Sequence, residues 1–238
     1  LLLELKDVWY RYPGMDECAL REVDLSLSEG EALLLTGPNG AGKTTLLLVA
    51  AGLLKPLRGD VLLMGRSIWE QLPEARKNIG LLFQNPESML FNPTVLDEIA
   101  YTPRQLAPPE KATRLAAEAA GILGLSGRLL GRPTYALSYG EKKLVALASI
   151  ISYKPRILLL DEPFTNLHPR YTERIKAVLR EHLKHGGGII IASHDAKHYL
   201  GITHRIICLE EGRITGEFHS GRLSLEEQWA GCEHSLKS

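Results

Sequence analysis

Short apolar runs recur along the chain, separated by longer stretches of mixed character. Ala32 to Thr36, Ile79 to Phe83, Ile157 to Leu160, Ile189 to Ala192 and Ile206 to Leu209 are rich in Leu, Ile and Val. Continuous runs of this length suit strands buried on both faces of a mostly parallel sheet. Pro108 to Leu125 places Ala, Leu and Ile at helical spacing and, with Gly140 to Tyr153, makes a helix-rich stretch between the runs at Ile79 and Ile157. Leu3 to Tyr12 and Leu20 to Leu27 have the pattern of strands in a smaller antiparallel sheet. The pattern predicts an α/β fold in one domain over 1–238: a mostly parallel sheet, a small antiparallel β subdomain and a helical subdomain inserted over about 86–153. After Gly221 it predicts a short helix containing Glu and then polar residues.

Composition narrows the classes. A chain of 238 residues with 45% hydrophobic content can bury a sizeable core. Lys plus Arg and Asp plus Glu each number 28, so the formal net charge is zero and no global field favours nucleic acid or an anionic membrane surface. No nucleic-acid partner is expected. Apolar stretches such as Leu46 to Leu54 fall short of the roughly 20 residues that span a bilayer. Leu1-Leu2-Leu3-Glu4-Leu5-Lys6 lacks the marks of a secretory signal, so a cytoplasmic location is expected, with any membrane attachment made through another protein. Cys18, Cys208 and Cys232 are odd in number and lack CxxC spacing, which predicts reduced thiols without a zinc or redox role.

Gly37-Pro38-Asn39-Gly40-Ala41-Gly42-Lys43-Thr44 fits G-x-x-x-x-G-K-[ST] between an expected strand and an apolar helix. Its glycines permit backbone conformations that turn successive N–H groups into one anion-sized cavity at a helix N-terminus. Lys43 then reaches the terminal phosphates of a nucleotide and Thr44 offers a hydroxyl to Mg²⁺. The core is therefore expected to be that of a P-loop NTPase binding a nucleoside triphosphate, a trait that kinases, GTPases and motors share.

Arg156 to Leu160 is an apolar strand that ends in Asp161-Glu162-Pro163. Ligands of parallel sheets sit beyond the carboxyl ends of the strands, so both acids should arrive beside the phosphate loop. Asp161 is the candidate partner of Mg²⁺, and Glu162 the candidate base that polarises the attacking water.

Leu137-Ser138-Tyr139-Gly140-Glu141 opens the helix that continues through Lys142-Lys143-Leu144. Ser138 and Glu141 have capping-box spacing. Placed shortly before the acid-bearing strand, and downstream of the phosphate loop, the segment resembles the LSGGQ signature of ABC (ATP-binding cassette) ATPases. The resemblance covers nearly the whole chain. It implies that Tyr12 stacks on adenine, that Thr45 contacts nucleotide beside the loop, that Gln84 is the Q-loop glutamine reaching nucleotide and metal, and that His194 is the switch histidine facing the γ-phosphate. It also implies that Ser138 and Gly140 face a nucleotide held by a second ATPase subunit, so that two ATP are sandwiched between two chains.

Gln84-Asn85-Pro86-Glu87-Ser88-Met89-Leu90-Phe91-Asn92-Pro93-Thr94-Val95 resembles the stretch found in the ATPases of cobalt and nickel importers and of energy-coupling factor vitamin importers. That likeness implies an integral membrane transport subunit docked at the Q-loop region, and a peripheral position on the inner face of the cell membrane. Three residues depart from the family pattern: Tyr139 stands for a glycine, Glu141 for glutamine, and His168 for an aspartate that helps couple the two sites. The departures leave a homodimer and one member of a non-identical pair both open. A non-transport ABC ATPase and an ATP-binding regulatory subunit are the alternative functions.

Overall fold

The computed structural model describes residues 1–199 and 201–219. The helix expected after Gly221 lies outside them. Strands β1 (Leu3–Tyr10), β2 (Leu20–Leu27), β4 (Arg58–Leu63) and β5 (Arg66–Ser67) form an antiparallel sheet in the order β2-β1-β4-β5. The second sheet holds β3 (Ala32–Thr36), β6 (Ile79–Leu82), β7 (Ile157–Asp161), β8 (Gly188–Ala192), β9 (Arg205–Glu210) and β10 (Arg213–His219), in the order β10-β9-β3-β8-β7-β6. All of its pairings are parallel except that of β10 with β9.

The apolar runs are continuous because both faces of this sheet are covered. Successive strand side chains point to opposite faces. On one face Leu34, Leu158, Leu160, Ile189 and Ile191 join a core with residues of helices α2 (Val95–Leu106), α3 (Pro109–Ile122), α4 (Tyr139–Ile151) and α5 (Pro169–Lys184). On the other, Leu33, Leu35, Leu159 and Ile190 pack with α1 (Lys43–Ala50) and with Val8, Leu25 and Val61 of the antiparallel sheet. The sheet thus separates two cores, and a charge at any of these positions would be buried without a partner.

Helices α2, α3 and α4 lie between β6 and β7 in the chain and pack on one another. Thr94 caps α2 by accepting from the Asp97 amide, and prolines at the first turns of α3 and α5 start those helices without losing an intrahelical bond. Gly80 fits β6 against α4, since a Cβ there would lie 2.3 Å from the Ile150 side chain. Among the described residues no helix is long and apolar enough to cross a membrane. Cys208, buried on β9, is disulfide-bonded, contrary to the expectation of reduced thiols, while Cys18 is free.

Candidate functional site

The carboxyl ends of β3, β7 and β8 converge, and the chemistry-bearing segments leave the sheet there. Strand β3 runs into the phosphate loop, whose form depends on glycine at two points. Gly37 has φ +146°, and a Cβ there would lie 1.9 Å from the Leu209 carbonyl oxygen; at Gly42 (φ +103°) it would meet the Ala19 carbonyl oxygen at 2.6 Å. Gly42 is also the N-cap of α1, with no side chain to satisfy the first-turn amides and no acid in that turn. A helix end left open in this way favours an anion.

Lys43 Nζ reaches back along the loop and donates to the carbonyls of Gly37 (2.7 Å) and Pro38 (2.9 Å). Burial pulls its pKa down, and the nearby carboxylates of Glu162 and Asp161 oppose that shift. Thr44 donates its hydroxyl to Asp161 Oδ2 at 2.7 Å, joining the loop to the end of β7. Asp161 is buried, which raises its pKa, while the Thr44 bond and the Lys43 and Lys143 ammoniums pull the other way. A hydroxyl and a carboxylate oxygen this close are hard donors of the kind Mg²⁺ takes, so the residues fit that ion.

Glu162 sits in the left-handed region at φ +46° and is 7% exposed. Its amide donates to the Ala192 carbonyl across to β8. Oε2 accepts from the hydroxyls of Thr165 and Ser193, each at 2.9 Å. Oε1 lies 3.0 Å from the His194 amide and 2.5 Å from His194 Nδ1. Burial would raise this carboxyl, but the bonds from His194, Thr165 and Ser193 outweigh it and hold it below the usual glutamate range. It is an ionised, oriented acceptor. The His194 ring stays mostly exposed on its other side.

The remaining expected residues fall into two groups. Tyr12 lies beside the loop, 37% exposed, with its hydroxyl 3.1 Å from that of Thr45 and its ring edge-on to Tyr10. Asn39, Gly40 and Ala41 complete the loop, and Ala41 Cβ would crowd any side chain at Gly37. Gln84 is exposed after β6; its carbonyl accepts from the Tyr139 hydroxyl at 3.1 Å, and its side chain makes no hydrogen bond to Thr44 or Asp161.

Neither Ser138 nor Gly140 is hydrogen-bonded to the phosphate loop of the same chain. Ser138 is the N-cap of α4 in a complete capping box, with Glu141 Oε2 accepting from both its amide (2.8 Å) and its hydroxyl (2.9 Å). Glutamate at 141 is therefore a working cap, and the Ser138 amide heads the causes that hold its pKa down against burial. Gly140 is needed for packing, because a Cβ there would come within 2.9 Å of the Tyr171 ring. His168 accepts the Arg170 amide at Nδ1 (3.3 Å) and so caps α5, filling the local role an aspartate would have.

The match to known proteins decides the family. The family model described as ABC transporter matches residues 20–165. The chain belongs to the ABC transporter family. As a member it is the ATPase subunit of a transporter, binding ATP and hydrolysing it to power transport across a membrane, and it works as one of a pair of cassettes beside membrane subunits. Among its relatives is the energy-coupling factor transporter ATP-binding protein EcfA of Methanothermobacter thermautotrophicus, 38% identical over 220 residues covering 91% of this chain and 70% of the relative. The cassette cbiO1 of Clostridium perfringens, described as part of the ABC transporter complex cbiONQ, superposes with a TM-score of 0.82 at 30% identity, covering 96% of this chain and 90% of that one. A dimeric ATP-binding cassette in a post-hydrolysis state, bound to ADP and Pi, gives a TM-score of 0.80 at 26% identity over 92% of this chain and 98% of that one.

Three residues of the cassette that matter to the site carried no sequence signal of their own. Thr165 from the same loop and Ser193 from a segment 31 residues on clamp Glu162, and buried Glu98 organises the loop after Gln84 by accepting from the amides of Phe91 (2.9 Å) and Asn92 (2.8 Å). A glutamate in the first turn of α2 reads as an ordinary dipole partner until its loop is folded over it.

Proposed function

We propose that this chain is the ATPase of an energy-coupling-factor-type importer, taking up a metal ion such as cobalt or nickel or a vitamin through its membrane partner. In this reading the domain is a single cassette over 1–238 with 86–153 as its helical arm. The phosphate loop and Thr45 hold the triphosphate, Tyr12 stacks on adenine, and Thr44, Asp161 and Gln84 hold Mg²⁺. When bound, the ion neutralises charge on the phosphates. Glu162 takes the proton of the attacking water, and His194, already on its carboxylate, orients it toward the γ-phosphate. Ser138 and Gly140 meet the nucleotide of the second subunit, identical or not. Binding of two ATP favours the closed pair, and the difference in affinity of that state for ATP and for the products supplies the push.

The importer reading is carried by the surface that follows Gln84. A groove of about 310 Å³ runs between the sheet and the helical arm, lined by Leu53, Leu81, Phe83, Met89, Phe91 and Tyr101 among others. Phe91 is 67% exposed, stacked edge-on against Tyr101 at 4.8 Å. An exposed aromatic at an apolar groove is suited to receive a helix of a membrane subunit, and would place the chain peripherally on the inner face of the membrane. The test is capture of tagged Glu162→Gln chain with Mg-ATP from detergent-solubilised cells. Integral membrane proteins are expected in the eluate, and Phe91→Asp should remove them while leaving ATP binding intact. Recovery of soluble partners or nucleic acid alone would overturn the importer reading.

A further inference from the structure

Lys143 is the fully buried cation of the helical arm, 0% exposed in a run of α4 that is otherwise apolar. Its ammonium ends on the loop that carries Glu162: Nζ donates to the Glu162 carbonyl at 2.6 Å and to the Thr165 carbonyl at 3.4 Å. One turn earlier on the same helix face, the Tyr139 ring lies 5.5 Å from Nζ, and the Tyr139 hydroxyl donates to the Gln84 carbonyl. Burying an ammonium is costly, and a methionine of similar length would fill the space without that cost. Packing by itself therefore gives no reason for lysine here.

The loop supplies one. Glu162 at φ +46° and Asn166 at φ +59° are non-glycine residues in the left-handed region, so the backbone there holds its shape only while its surroundings enforce it. The Glu162 carboxylate is fixed by Ser193, Thr165 and His194, and its amide by β8. Its carbonyl is held from the opposite side, by Lys143. We infer that Lys143 is a positioning residue that fixes the backbone of Glu162 from the second turn of the signature helix, and that Tyr139 ties this support to the backbone of Gln84. Movement of α4 or of the Gln84 loop would then be felt at the carboxylate through the protein, in addition to any contact those segments make with nucleotide.

The inference rests on Glu162 acting as the base, and the experiment separates the two. In the purified full-chain complex, Lys143→Met should lower the ATP turnover number at least tenfold with the ATP dissociation constant unchanged within twofold, because the phosphate loop does not touch Lys143. Lys143→Gln, which keeps a donor, should recover part of the loss. In the Glu162→Gln background Lys143→Met should add nothing. Without nucleotide, hydrogen exchange in the segment 162–166 should quicken in Lys143→Met while the segment 37–44 is unchanged. Normal turnover in Lys143→Met, equal loss in the Met and Gln variants, or unchanged exchange in 162–166 would each overturn the inference. Turnover retained by Glu162→Gln alone would instead remove the base assignment, and the exchange result would still decide whether Lys143 holds the loop.

Discussion

The phosphate loop and the signature turn both end in the N-terminus of a helix, and the chain finishes them in opposite ways. At α1 the cap is Gly42 in a left-handed conformation, with no capping side chain and no acid in the first turn. At α4 the cap is Ser138, closed by Glu141 into a capping box and braced by Arg132, whose Nη1 lies 3.6 Å from Glu141 Oε1. The first end leaves its amides for a ligand of the same chain. The second satisfies itself, so α4 begins without needing a ligand. An anion site and a stable helix start make contrary demands on the same amides, and the two turns divide those demands between them.

The comparison can be broken most sharply at Lys43. Lys43→Ala removes the ammonium from the open end and should weaken ATP binding by about 100-fold, close to 3 kcal/mol, as measured by calorimetric titration. Ser138→Ala, tested the same way on the isolated chain, should leave that affinity intact; an equal loss would mean that one chain holds a complete site. Next in size is Gly140→Ala, which forces the Tyr171 ring to shift and should cost about 1–3 kcal/mol in thermal unfolding, as overpacking does.

A pH effect should mark the buried lysine in the second turn of α4. Burial pulls the Lys143 pKa down to about 8, below its ordinary 10.5, so between these values the unfolded chain binds more protons than the folded one. Stability of the wild type relative to Lys143→Met should therefore rise with pH across that window, by about 2 kcal/mol from pH 8 to 10, in paired unfolding curves. The smallest effect belongs to Glu141→Gln. Glutamine still closes a capping box, so folding should hardly change, while removing a negative charge from the side of Ser138 should strengthen ATP-driven pairing of the Glu162→Gln chain by up to about fivefold, roughly 1 kcal/mol, read by sedimentation.

Much of the architecture was legible because it rests on local pattern. The runs at Ala32, Ile157 and Ile189 became β3, β7 and β8 within a residue of their expected limits, since a strand buried on both faces leaves an unbroken apolar signature. The expectations at Pro108 and Gly140 became α3 and α4. Less visible were α2, whose 12 residues include Pro103, and α5, where charged residues dominate a helix that buries only one narrow face. The motif residues around the phosphate loop and β7 were legible in kind. Their actual partners were not, because Thr44 with Asp161, and Glu162 with Ser193 and His194, are pairs separated by 31 to 117 positions.

The sequence by itself determined the alternation of strands and helices, the nucleotide-binding loop with its two acids, and the order of motifs that marks the family. Those are properties of short segments, where spacing and residue type suffice. Only the tertiary structure decided that Gly140 is required by the Tyr171 ring, and that Lys143 is buried with its ammonium on the backbone of Glu162. Each of those depends on where a side chain ends rather than where it begins, and a buried lysine on α4 reads like a solvated one until the loop from β7 is folded against it.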